Sequence, residues 1–135
     1  MKRILIIFFG CLVVIFSLAL FAQSFWGGKT MSKSQVKAKW GSEHYDPKKF
    51  RDGNYETKSK MAYSIMADKS LIGKPYEEIK ELFGPPEGFY FIDTYPAYII
   101  QKGKNRTEDT WQIVFKIGDG YKVRDIIVHR NCCER

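Results

Sequence analysis

The chain has few of the residues from which catalytic centres are usually built. Its 135 residues include only two histidines and three cysteines. None of its serines lies in the glycine-framed turn of a hydrolase nucleophile, and it has no glycine-rich phosphate-binding loop. Glu77, Glu78 and Glu81 fall on one face of a predicted helix, a pattern typical of a solvated surface. The sequence therefore predicts neither an enzyme nor a bound cofactor.

The longest apolar run lies at the N-terminus. Met1-Lys2-Arg3 precedes Ile4–Ala22, which carries no charge, and this layout is shared by signal peptides and N-terminal membrane anchors. The length of the run favours an anchor, whereas Ala22-Gln23-Ser24 offers small residues for cleavage, and Cys11 leaves lipid modification as a third alternative. Residues 1–24 are thus interpreted as a signal peptide or anchor, with residues 4–22 as the membrane contact.

This N-terminal layout predicts where the protein works. We expect it at the inner membrane with its domain facing the periplasm, or free in the periplasm after cleavage. The lysines that follow the apolar run oppose this orientation under the positive-inside rule. A short basic head before an apolar run is nevertheless the usual arrangement of an export signal.

The positive charge is concentrated near the predicted membrane segment. The formal net charge is +7, but the stretch 71–135 has equal numbers of acidic and basic residues. Gly27–Gln35 is polar and basic, so residues 25–45 are predicted to form a flexible tether whose lysines favour anionic lipid head groups. With no arginine-rich helix or recognition motif, the chain is not expected to bind nucleic acid.

Two helices are predicted ahead of a series of strands. Asp46-Pro47 is typical of a helix start, and Asp52-Gly53-Asn54 interrupts whatever begins there. Residues 58–69 then place their apolar side chains at helical spacing. The second helix is predicted from Pro75 to Phe83, because an apolar stripe precedes Gly84-Pro85-Pro86, which cannot continue it.

The sequence after Pro86 changes to a strand pattern. Aromatic and β-branched residues are concentrated in residues 88–93, 97–102, 110–117 and 122–128, and Gly118-Asp119-Gly120 predicts a hairpin between the last two segments. We therefore predict an α+β domain over residues 46–135. In it, two helices pack on one face of a three- to four-stranded antiparallel meander.

One segment resembles a known family. Leu71–Ile79, followed by Leu82-Phe83-Gly84-Pro85-Pro86, is similar to the signature of the SmpA/OmlA (BamE-like) small bacterial envelope proteins. The resemblance extends over about residues 58–128. It implies a helix-then-meander fold ending in a hairpin, and a non-catalytic role in binding or stabilising an envelope complex. The same layout is shared with β-lactamase-inhibitor-type domains, which also act by binding proteins.

The C-terminus holds the candidate metal ligands. His129, Cys132 and Cys133 offer imidazole and thiolate donors, although adjacent cysteines rarely both reach one ion and no further ligands are marked. A disulfide, a free thiol or an incidental pair are the alternatives for the two cysteines. A small ligand- or metal-binding envelope domain is therefore the alternative function.

The aromatic content of the meander indicates a protein-binding surface. Tyr90, Tyr95, Tyr98 and Trp111 are the candidates, because Tyr and Trp on an outer face are good anchors for a partner. The alternative is that these rings belong to the core. We therefore interpret the chain as a non-catalytic cell-envelope interaction module whose partner is an envelope protein.

Overall fold

The computed structural model describes residues 29–104 and 109–131, which form an α+β domain. Within these residues, four helices and two short 3₁₀ turns accompany a four-stranded antiparallel sheet. The elements in chain order are β1 (Lys29–Met31), α1 (Lys33–Trp40), α2 (Pro47–Asp52), α3 (Tyr55–Ala67), α4 (Tyr76–Phe83), β2 (Ala97–Gln101), β3 (Thr110–Ile117) and β4 (Val123–Asn131).

The prediction of a flexible tether over residues 25–45 is wrong for the part that forms β1 and α1. Ser32 caps α1 and accepts a hydrogen bond from the Gln35 N–H, while the Gln35 side chain accepts from the Ser32 N–H. This reciprocal capping box starts the helix without an apolar stripe. Val36 is fully buried and anchors α1 on the core. A short edge strand such as β1 needs only backbone pairing, so the polar composition did not reveal it.

Each of the next two helices begins at a side-chain N-cap. Asp46 accepts a hydrogen bond from the Lys49 N–H at 2.7 Å and begins α2. Asn54 accepts from the Thr57 N–H at 2.9 Å and begins α3. As a result, α3 begins three residues earlier than the predicted start at Lys58 and ends at Ala67 rather than Lys69.

The helix α4 is confirmed, with Pro75 as its N-cap rather than its first residue. Gly84 follows it with φ +87°, a conformation that glycine adopts without steric cost. The Arg51 guanidinium donates to the Glu81 and Leu82 carbonyls at 3.2 and 2.9 Å. These two hydrogen bonds satisfy carbonyls that the end of the helix would otherwise leave unpaired.

The sheet has the order β1-β4-β3-β2, so the predicted meander is confirmed for β2, β3 and β4. The predicted strand over residues 88–93 is wrong, because that segment is irregular and Phe91 has φ +54°. A strand cannot accommodate this left-handed conformation. The fourth strand is β1, which pairs with β4 from Lys29 opposite Arg130 to Met31 opposite Val128.

The core between the sheet and the helices is built around aromatic rings. Phe83 of α4 lies 4.7 Å from Phe115 of β3, measured between ring centroids, and 5.2 Å from Phe50 of α2. Tyr45 stacks on Phe83 at 4.8 Å. These four rings, with Tyr98 on β2, join α2, α4 and the loop before α2 to the sheet.

The predicted signal peptide or anchor, residues 1–24, lies outside the described residues. Among the helices of residues 29–104 and 109–131, none has the length and apolar content needed to cross a bilayer.

The orientation of α4 can be tested by an alanine substitution on each face. Ile79 is fully buried, so Ile79→Ala should reduce the free energy of unfolding by about 2–5 kcal/mol. Glu81 is exposed, and Glu81→Ala should change it by less than about 0.5 kcal/mol. Urea unfolding measures both values, and equal losses would contradict the assigned face.

Alkaline stability should depend on Tyr45. Burial raises the pKa of this phenol well above its ordinary value of 10, and its hydroxyl has no hydrogen-bond partner within the described residues. Because the folded state holds the proton more tightly than the unfolded state, stability should fall as the pH rises above about 10.

Tyr45→Phe removes the ionisable group without removing the ring. We expect unchanged or higher stability at pH 7, and a smaller loss between pH 9 and pH 11 than in the wild-type protein. Thermal melts across this range measure the difference. An equally steep loss in the variant would contradict the role of Tyr45.

Candidate interaction surface

The sheet face opposite the helices carries its own buried row. Gln112 of β3 lies opposite His129 of β4 and Ile99 of β2, and His129 lies opposite Thr30 of β1. Directly opposed residues in a sheet point to the same face. Gln112 is fully buried and His129 is 6% exposed. Something other than the helices must therefore cover this face.

The covering segment is held by the side chain of Gln112. Its amide N–H donates to the Phe89 carbonyl at 2.6 Å, and its Oε1 accepts from the Phe89 N–H at 3.2 Å. The Glu87 and Gly88 N–H groups both donate to the Ala97 carbonyl at 3.1 and 2.9 Å. The amide thus replaces a strand partner for residue 89, and the chain is fixed across the sheet without forming a strand.

Gly88 allows this close approach. A Cβ at this position would overlap Oε1 of Gln112 and lie 3.1 Å from the Cβ of Ala97. No larger residue fits there unless the loop moves away from the sheet. The glycine is therefore required by space, since its φ is not positive.

A tight turn follows immediately. The Ile92 N–H donates to the Tyr90 carbonyl at 2.6 Å, with Phe91 at φ +54° between them. The turn directs Tyr90 inward, where its ring meets the His129 ring edge-on at 4.7 Å and stacks with Tyr95 at 6.2 Å. Burial raises the pKa of Tyr90 above its ordinary value.

Three large apolar side chains project outward from the same turn. Phe89 is 56% exposed, Phe91 58% and Ile92 48%. We call residues 89–92 the apolar loop. A contiguous group of exposed apolar side chains on a well-fixed loop is typical of a contact surface.

The predicted protein-binding residues divide into two groups. Tyr98 and Trp111 are buried, so their assignment as surface anchors is wrong. The Tyr98 hydroxyl donates to the Gly84 carbonyl at 2.9 Å, and Trp111 meets Trp40 edge-on at 6.0 Å. Both rings face the helices.

Tyr90, which belongs to the apolar loop, and Tyr95 are partly buried, and their rings stack on each other at 6.2 Å. The three exposed residues, Phe89, Phe91 and Ile92, were missed because GFYFID was interpreted as a strand. The available signal was that this run lacks the alternation of a half-buried strand and follows two prolines.

The candidate metal site is only partly described. His129 is buried beneath the Tyr90 ring, whereas Cys132 and Cys133 lie outside the described residues. Over the two described ranges, no three His, Cys, Asp or Glu side chains are grouped so that they could hold a metal ion. Binding of a metal by His129, Cys132 and Cys133 stays a prediction.

A groove of about 270 Å³ lies on the other side of the domain, beside the end of β2. Trp40, Tyr55 and Ile100 supply its apolar lining, and Ser59 is its only serine. The Ser59 hydroxyl donates to the Glu56 carbonyl at 2.8 Å, as is usual for a helical serine. The Ser59 hydroxyl is thus engaged by the backbone of its own helix, and the carboxylate of Glu56, which also lines the groove, is paired with Lys60.

Similarity to known proteins gives no information on this surface. No protein-family model, curated protein or solved structure matches the chain.

The pairing of Gln112 with Phe89, which clamps the apolar loop to the sheet, predicts the effect of two substitutions. Gln112→Leu removes the amide that pairs with Phe89, so the free energy of unfolding should fall by about 1–3 kcal/mol. Gly88→Ala should displace the same segment sterically. In both variants, hydrogen exchange should accelerate at the Phe89 amide, with little change in the β3–β4 pairing. Unchanged protection of Phe89 in both would contradict the clamp.

Proposed function

We propose that this chain is a non-catalytic interaction module of the bacterial cell envelope, which binds or stabilises a membrane or periplasmic protein complex. In this proposal, residues 4–22 deliver the domain to the membrane, and the apolar loop is the surface by which it engages the envelope. The domain remains anchored or is released into the periplasm, depending on cleavage after Ser24.

The observation that carries the proposal is the exposure of Phe89, Phe91 and Ile92 on a loop that Gln112 fixes in place. Ordering a loop on binding costs conformational entropy, and a loop that is already ordered avoids most of this cost. Aromatic side chains, phenylalanine among them, are enriched in the buried centres of protein interfaces.

The resemblance of Leu71–Pro86 to the SmpA/OmlA (BamE-like) envelope proteins agrees with this proposal. That segment contains α4 and its Gly84 stop, which connects the helical layer to the apolar loop. The family therefore suggests a role, and the loop suggests the surface that performs it.

Site-specific photo-crosslinking in intact cells tests the proposal. Benzoylphenylalanine is placed at Phe91 of the full-length chain and, as a matched control, at Tyr121, which is 69% exposed in the β3–β4 hairpin. We expect envelope adducts from position 91 and few from position 121, because Tyr121 lies in the β3–β4 hairpin, away from the apolar loop. The absence of adducts at 91, or equal adducts at both positions, would contradict the proposed function.

A further inference from the structure

We infer that the apolar loop inserts into the lipid surface of the membrane, directly beside the point where the chain enters the domain. This inference rests on the proposed function in one respect, namely that residues 4–22 lie in the membrane. It adds what the apolar loop contacts, which is the interfacial layer of a bilayer. The loop then forms a second point of attachment to the membrane.

The sheet register places the loop and the chain entry at the same end of the domain. Lys29, the first of the described residues, pairs with Arg130, and the next pair is Thr30 with His129. His129 lies directly under Tyr90 of the apolar loop, with the ring centroids 4.7 Å apart. Adjacent strands are about 4.8 Å apart, so the loop covers a position immediately beside β1.

The length of the connecting segment keeps this end near the bilayer. Residues 23–28 alone separate the apolar run from β1, and fully extended they would span at most about 22 Å. The opposite end of the sheet, at the β3–β4 hairpin, lies about 20 Å farther from His129 along β4. When the domain is attached through Lys29, its apolar loop therefore lies closer to the point of attachment than the β3–β4 hairpin does.

The composition of the loop suits the interfacial layer of a bilayer. Phe89, Phe91 and Ile92 supply apolar surface, while Tyr90 and His129 place polar atoms just behind them. Aromatic rings with a polar side favour the boundary between head groups and acyl chains. Lys29 and Arg130 lie in the adjacent row, which points to the helical face with Trp111, and Arg130 pairs with Asp109 at 3.3 Å. Asp93, which follows the loop, is exposed to solvent.

An environment-sensitive label measures the depth of the loop directly. Cys11, Cys132 and Cys133 of the full-length chain are replaced by serine, and a single cysteine at Phe91, Ile92 or Tyr121 carries a nitrobenzoxadiazole fluorophore. Each protein is reconstituted into phosphatidylcholine nanodiscs that contain no protein besides the scaffold belt. Circular dichroism melts that match the unlabelled chain establish that each variant is folded.

Labels at positions 91 and 92 should show blue-shifted emission and be quenched by doxyl groups on the lipids, whereas the label at 121 should report water. If labels 91 and 92 match label 121 in nanodiscs that contain the chain, the inference is overturned. In that case the membrane attachment stands, and the loop does not insert into lipid. If the chain does not enter nanodiscs at all, both the inference and the proposed membrane attachment fail.

Discussion

The arrangement of the candidate surface depends on one buried side-chain amide. Gln112 sits in the middle strand of the described meander, on the face that the helices do not cover, and it pairs with both backbone groups of Phe89. A buried amide is costly without partners, so the loop and the glutamine stabilise each other. Tyr90 then closes over His129, and the turn at Phe91 directs the three apolar side chains into solvent.

The two faces of the sheet consequently have different roles. The helical face is filled by interlocking rings of Phe50, Phe83 and Phe115, which supply the stability of the domain. The other face is covered by a single loop that satisfies its own backbone through Gln112 and Ala97. A stable core of this kind can support an exposed apolar loop, which by itself contributes little to folding.

The sequence predicted the elements whose signals are local and strong. The stripe of α4 with its Gly84 stop, and the glycine turn between β3 and β4, were readable because a few adjacent residues determine them. The strand β1 was not, because its pairing with β4 joins residues about a hundred positions apart. The capping box of α1 was a readable signal, but the polar composition around it indicated a tether.

The sequence predicted the region of the candidate surface but not the residues that form it. An aromatic-rich meander indicated a contact surface, but alternation alone could not show that Tyr98 and Trp111 face the helices. The error over residues 88–93 has a specific cause. The chain there gains its order from the side chain of Gln112, more than twenty residues later, and no pattern within the loop shows this pairing.

The most direct test is to measure whether the apolar loop contacts β3 and β4 in solution. Nuclear Overhauser effects on the isotope-labelled protein should connect the ring protons of Tyr90 with those of His129, and the side-chain amide of Gln112 with the Phe89 N–H. Both connections are expected, together with slow exchange of the Phe89 amide. If both connections are absent and Phe89 exchanges as fast as an unstructured amide, the pairing of the apolar loop with Gln112 and His129 is contradicted.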